Sequence, residues 1–164
     1  MKRTKLPMLY NSGLILLFGV LLTACGNKTE QDPPPIKKVI TLSNANISKF
    51  KRNFTSDYIS KRNALLDKFK TSKESNDGKG FNDYRNFHWT PEYIKQQHYY
   101  EAVLETNIDY IDQVKLKPLL DTYTNLVFIS LDLKKALLHN DNESLKSAYK
   151  AIKADHITIK RYQK

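Results

Sequence analysis

Apolar residues recur at helical intervals over most of the chain, and this periodicity constrains the fold more than any other feature. From residue 46 onward the steps between apolar residues are three, four or seven, as on one face of an α-helix. A first helix is predicted from about 46 to 70. Its apolar face consists of Ile47, Phe50, Phe54, Tyr58, Leu65 and Phe69. Within the helical region only residues 71–80 are rich in turn-forming residues, so the sequence predicts an all-α domain.

A second helix is predicted to begin at residue 90. Thr90 is the expected N-cap and Pro91 the first helical residue, two choices that favour a helix start. The helix should end near 115–117, because Pro118 disfavours helical geometry in the residue before it. Its predicted buried stripe is Ile94, Gln97, Tyr100 or Glu101, Leu104, Ile108, Ile111 and Val114.

The third and fourth helices complete the expected domain. The third, about 118–139, is the most apolar stretch and is therefore predicted to lie at the centre. Residues 140–142 should form a short connection and cap the fourth helix, which makes the last two helices an αα-hairpin. Residues 39–42 resemble a short strand but have no partner strand. We expect an antiparallel bundle of about four helices over residues 43–164.

The first 24 residues have the organisation of an export signal. Lys2, Arg3 and Lys5, without any acid, precede a continuous apolar run of nine residues, 14–22. A membrane-spanning helix needs about 20 apolar residues, so a permanent transmembrane helix is the weaker interpretation.

The next residues, Leu22-Thr23-Ala24-Cys25, resemble the lipobox of bacterial lipoproteins. The resemblance implies that signal peptidase II cleaves between Ala24 and Cys25, the only cysteine of the chain. It also implies a diacylglyceryl group on the Cys25 thiol and, in some cells, a further acyl group on the new amino terminus. The protein would then be anchored to the extracytoplasmic face of the cell membrane, and the Lys- and Asn-rich composition favours a Gram-positive cell. The alternatives are a signal peptide without lipidation or a buried structural cysteine.

The residues after the cysteine are predicted to form a flexible tether. They contain Pro33-Pro34-Pro35 and few apolar side chains, so they cannot bury enough surface to order themselves. The expected organisation is a signal peptide over 1–24, a lipidated N-terminus and linker over 25–42, and a helical domain over 43–164.

The chain is strongly basic. Its formal net charge is +10, and removing the three cations of residues 1–24 lowers the charge to +7. The basic residues concentrate on the first and fourth predicted helices: Lys49, Lys51, Arg52, Lys61, Arg62, Lys68, Lys70, Lys150, Lys153, Lys160, Arg161 and Lys164. A solvated face is the simplest explanation. The functional alternative is attraction to anionic lipid or an anionic envelope polymer, whereas export argues against nucleic acid as the partner.

An aromatic segment, residues 81–89, lies between the turn-rich region and the second helix. We predict a loop here, with Phe81, Tyr84, Arg85, Phe87, His88 and Trp89 as candidate binding residues. Aromatic residues and arginine are typical of binding hot spots, and loops often carry function. The alternative is that Phe81, Phe87 and Trp89 cover the end of the core.

Catalytic motifs are not recognisable in the sequence. It contains no glycine-rich phosphate loop, no HExxH and no GxSxG, and lipidation would consume the sole thiol. His98 and Glu101 are three residues apart and could face one metal, but no second pair accompanies them. We therefore expect no enzyme, no metal and no cofactor other than covalent lipid.

Three functional hypotheses follow. The first is a non-enzymatic surface lipoprotein that binds a protein, a peptide or an anionic polymer in the envelope. The alternative is an immunity or exclusion lipoprotein that protects its host from a bacteriocin, a phage or a conjugating cell. A metal enzyme built around His98 and Glu101 is a third possibility and predicts metal in the purified protein. The oligomeric state is open.

Overall fold

A computed structural model describes residues 38–163. Within them lie the helices α1 (Ile47–Glu74), α2 (Gly78–Tyr84), α3 (Thr90–Thr106), α4 (Ile108–Gln113), α5 (Lys117–His139) and α6 (Asn142–Tyr162), with a π-helical turn at Arg85–Trp89. This part of the chain contains no strand, and the all-α prediction is confirmed. No helix in it has both the length and the apolarity to cross a membrane. The predicted signal peptide (1–24), the Cys25 lipidation site and residues 25–37 of the predicted linker lie outside the described residues.

The most apolar helix, α5, is central, as predicted. It packs against α1, α2, α3 and α6. Leu119, Leu126 and Leu133, spaced by seven residues, are fully buried along its inner face. An aromatic cluster continues this core, with ring centres of Phe54 and Tyr123 each within about 5 Å of Tyr100, at 4.6 and 5.0 Å respectively.

The hairpin between α5 and α6 is also confirmed. Asn140 ends α5 in the left-handed conformation (φ 52°), which asparagine tolerates better than most residues. The Asp141 carboxylate then caps α6 by accepting hydrogen bonds from the backbone N–H groups of Glu143 and Ser144. Hydrogen bonds from Ser144 are the main cause of a lowered pKa at Asp141.

The turn predicted over residues 71–80 is much shorter in the structure. Helix α1 continues to Glu74, and α2 already begins at Gly78. Asn76 makes the reversal with φ 54°. The Asp77 carboxylate then caps α2 by accepting from the Gly80 N–H at 2.7 Å. A Cβ atom at residue 80 would lie 1.9 Å from that carboxylate, so any larger residue there would displace the carboxylate from this position.

The predicted buried stripe of the second helix is right at Tyr100 and wrong at Ile94 and Ile108. The residues buried in α3 are Tyr93, Tyr100 and Val103, whereas Ile94 is 42% exposed and Ile108 54% exposed. Tyr93 and Tyr100 occupy the inner positions because each buries a large aromatic ring there. The Tyr100 hydroxyl also donates a hydrogen bond to Asp57 Oδ2 at 2.6 Å. Farther along, Ile111 is buried and Val114 half-buried, as predicted.

A buried asparagine interrupts the helix and holds the chain that enters the domain. Asn107, between α3 and α4, accepts a hydrogen bond from Leu42 N at 2.6 Å and donates to Ile40 O at 2.9 Å. Leu42 is 5% exposed, and Val39 and Ile40 pack against the core. Residues 39–42 therefore belong to the helical body, and the predicted linker boundary at 42 is too late. The side-chain amide takes the place of the strand partner that the sequence lacks.

Candidate functional site

The aromatic segment, residues 81–89, is helical, so the prediction of a loop is wrong. Residues 81–84 end α2, and the π-helical turn at Arg85–Trp89 leads directly into α3. Thr90 is consequently inside a continuous helical path and does not cap it; its buried hydroxyl has no hydrogen-bond partner among the described residues. The turn ends two residues before Pro91, whose ring would clash with the carbonyl four residues earlier in a regular helix. Turns of this type occur frequently at functional sites.

Three of the six predicted binding residues face the core. Phe81 is fully buried, with its ring edge-on to Phe69 at 5.7 Å between centres. Trp89 is 2% exposed, and its indole N–H donates to the Lys61 carbonyl of α1 at 2.9 Å. Its ring also stacks on Tyr93 at 5.0 Å. Phe81 and Trp89 therefore cover the core, as the alternative interpretation proposed.

The third inward residue, Arg85, connects the π-helical turn to α5. It is 8% exposed, and its Nε donates to Ser130 Oγ at 2.9 Å. Its Nη1 donates to Asn86 Oδ1, also at 2.9 Å. Burial lowers the pKa of the guanidinium. Because this group is engaged inside the protein, it positions the turn and is not available to a ligand from solvent.

The remaining three residues face outward. Phe87 is 72% exposed, which contradicts the alternative in which it covers the core. His88 is exposed and stacks on the half-buried Tyr84, with 6.1 Å between ring centres. Burial, and then the Asp67 carboxylate, raise the pKa of Tyr84. The candidate site is therefore an outer aromatic surface formed by Tyr84, Phe87 and His88.

Two carboxylates, the buried Asp155 and the half-buried Asp57, accept hydrogen bonds from tyrosines inside the bundle. Asp155, 2% exposed, accepts from Tyr58 Oη at 3.0 Å and from Asn125 Nδ2 at 2.8 Å, which ties α6 to α1 and α5. Asp57 accepts from Tyr100 and Gln96 and so ties α1 to α3. Burial, followed by these carboxylates, raises the pKa of Tyr58 and Tyr100, so both phenols stay protonated. These contacts organise packing.

The sequence did not identify a groove that the structure shows between α1 and the end of α6. It has a volume of about 570 Å³ and is lined on the α1 side by Lys51, Arg52 and Ser56, and on the α6 side by Tyr162. In the sequence, the basic clusters on these two helices were the one feature that could have indicated this groove. What periodicity could not show is that the two helices leave space between them.

His98 and Glu101, the pair considered for a metal site, lie on the surface of α3. Both side chains are exposed, and Glu101 Oε1 accepts a hydrogen bond from Gln97 Nε2 at 3.0 Å. Within residues 38–163, no group of three or more His, Cys, Asp or Glu side chains could hold a metal ion.

No protein-family model matches the chain, and no curated protein or solved structure compared with it is similar to it.

Proposed function

We propose that the chain is a lipid-anchored, non-enzymatic binding protein of the bacterial envelope, held through Cys25 on the extracytoplasmic face of the membrane. The resemblance of residues 22–25 to a lipobox supports the anchor. The observation that carries the binding role is the 72% exposure of Phe87 on a helical segment that is fixed from behind.

The outer aromatic surface is suited to binding because hydrogen bonds on the inner side of the same turn hold it in place. Arg85 and Trp89, on the inner side of the same turn, are bonded to α5 and α1 respectively. A side chain on such a rigid base loses little backbone freedom when a partner covers it, so less of the interaction energy is lost to ordering. Complete burial of a phenylalanine side chain is worth about 1.5–3 kcal/mol.

The partner that fits this surface is another polypeptide of the envelope. Phe87 offers an apolar ring, and the stacked pair of Tyr84 and His88 adds polar atoms on the same short segment. Large rings surrounded by polar groups are the usual anchors of protein–protein contacts. An aromatic residue projecting from a rigid helix can enter a pocket of a partner without rearrangement of the backbone.

Substitution of Phe87 by alanine tests this proposal. In cells that make the full-length protein, we expect chemical cross-linking to recover a specific partner with the native chain. Recovery should fall at least about tenfold with Phe87→Ala, since truncating a binding hot spot costs about 2 kcal/mol or more. Because Phe87 is exposed, the free energy of unfolding should change by no more than about 0.5 kcal/mol.

The matched control is Tyr149→Ala, which removes another aromatic ring, 51% exposed, from α6. This variant should recover the partner at the native level. Equal recovery by native protein and Phe87→Ala, or equal losses in both variants, would remove the outer aromatic surface as the binding site.

A further inference from the structure

The groove between α1 and the end of α6 has the chemistry of an anion site. Its volume of about 570 Å³ falls within the range of ligand sites, about 300–1,000 Å³. Of the described residues that line it, Lys51 and Arg52 are cationic and none is acidic. Ile59 is the one aliphatic residue in this lining, so the cationic and hydroxyl groups are the features that would select a ligand.

The two cations are not neutralised by the rest of the described chain. Residues 38–163 contain two ion pairs, Lys117–Asp121 and Lys146–Glu143, and both are elsewhere. Lys51 Nζ lies 5.9 Å from the centre of the Tyr162 ring, which attracts the ammonium group without removing its charge. The groove therefore combines a flexible ammonium with a guanidinium, which suits bidentate contact with phosphate oxygens.

Hydroxyl groups accompany the cations along the same helix. Ser48, Ser56 and Ser60 line the groove at intervals of eight and four residues, which places them on one face of α1. Twelve residues of helix span about 18 Å, so the donors follow a line that is longer than a single phosphate group. This arrangement matches a chain of repeated phosphodiesters better than an isolated ion.

A buried hydroxyl in the groove gives an independent indication of a ligand. Thr55 is 4% exposed and lines the groove, and its Oγ1 has no hydrogen-bond partner in the described part of the chain. Buried hydroxyl groups are nearly always paired with protein or water, and leaving one unpaired is costly. A rotation of the side chain toward the groove would let the hydroxyl donate to an acceptor oxygen of a ligand there.

We propose that this groove binds phosphodiester groups, with Lys51 and Arg52 as the charge partners and the α1 hydroxyls as additional donors. The source of the phosphodiester is either a soluble polymer of the envelope or the headgroups of anionic lipid. The site lies on α1 and α6, apart from Phe87, and does not depend on the protein partner proposed above.

Calorimetric titration of the full mature chain in neutral detergent micelles tests this site. One arm adds soluble poly(glycerol phosphate), and a second adds phosphatidylglycerol to the micelles, both at about 0.15 M ionic strength, where distant charges are screened. We expect saturable binding in at least one arm, and the arm that responds identifies the source. Absence of binding in both arms would overturn the proposal.

Charge-matched variants separate the site from general basicity. The double variant Lys51→Gln/Arg52→Gln should weaken binding at least about tenfold, since it removes both charge partners of the phosphodiester. The control Lys68→Gln/Lys70→Gln removes the same charge from α1 outside the lining and should weaken it less than about twofold. Equal weakening in the two variants would show that net charge, and not the groove, attracts the polymer.

Thr55→Val provides a second readout that does not rely on charge. The variant keeps the shape of the side chain and removes the unpaired hydroxyl, so we expect unfolding at a higher temperature without ligand and weaker binding with it. A rise in stability with unchanged binding would exclude the Thr55 hydroxyl from the site and overturn this part of the proposal.

Discussion

Replacing Phe54 by alanine is expected to lower the free energy of unfolding by about 4 kcal/mol, because truncating a buried phenylalanine costs about 3–5 kcal/mol. Phe54 is fully buried and lies where α1, α3 and α5 meet. Its ring contacts those of Tyr100 and Tyr123, with centres at 4.6 and 6.0 Å. Alanine would leave a cavity that three helices cannot close without moving their backbones.

Urea unfolding followed by circular dichroism measures this effect. Phe87→Ala is the matched control, since it makes the same change at an exposed position and should alter stability by no more than about 0.5 kcal/mol. If Phe54→Ala does not fold, Phe54→Leu should still fold and lose less, because it preserves most of the volume. Similar losses for Phe54→Ala and Phe87→Ala would contradict the assignment of inner and outer faces.

Replacing Asp155 by alanine is expected to destabilise the protein by about 3 kcal/mol. The change leaves the Tyr58 hydroxyl and the Asn125 amide without their acceptor. Each buried donor that loses its partner costs about 1–3 kcal/mol, and relief of the buried charge offsets part of this loss. Unfolding in urea at pH 7 provides the measurement, and a loss below about 1 kcal/mol would show that these bonds contribute little.

The same carboxylate should give the protein a distinctive pH dependence. Burial raises the pKa of Asp155 above its ordinary value of 3.8, although hydrogen bonds from Asn125 and Tyr58 and the charge of Arg62 oppose the rise. Between the ordinary and the raised pKa, the folded chain binds more protons than the unfolded chain, so this contribution to stability falls as pH rises. It is fully present below about pH 3.8 and is lost as pH passes through the raised pKa.

Asp155→Asn isolates this contribution, because an amide does not titrate in that range. The stability of the native chain minus that of the variant should decrease as pH is raised from about 4 to 7. A difference that grows with pH would mean that the carboxylate is stabilised, and not penalised, by its surroundings.

The sequence predicted the second half of the fold well, because local signals there agree with the packing. Pro118 in the first turn of α5 and the Asn140–Asp141 pair at the hairpin determine the helix boundaries through backbone geometry and capping. The apolar side chains of α5 cover more than one face of the helix. Burying them requires neighbouring helices on several sides, which predicts a central position.

Prediction failed at residues 81–89 because the local signals there conflict with the tertiary contacts. Gly78, Gly80 and Pro91 favour a loop followed by a new helix. In the structure Gly80 fits the cap at Asp77, and a π-helical turn precedes the proline. Contacts with Ser130 and Lys61, 45 and 28 residues away, orient Arg85 and Trp89 inward. No local pattern contains these distant partners.

The candidate sites were only partly predictable for the same reason. Phe87 was identified by its residue type, but its exposure depends on which side of the turn Arg85 occupies. The charges of the groove were visible on α1. The unpaired Thr55 hydroxyl and the open space beside Tyr162 arise only when α1 and α6 are brought together.

The proposed anchor at Cys25 would bring both proposed sites to the outer surface of the membrane, so both depend on it. Mass spectrometry of the protein isolated from its native cells tests it most directly. We predict a mature chain that begins at Cys25 and carries a thioether-linked diacylglyceryl group. A chain with a free thiol at residue 25, or one cleaved at another position and recovered from the medium, would contradict the account.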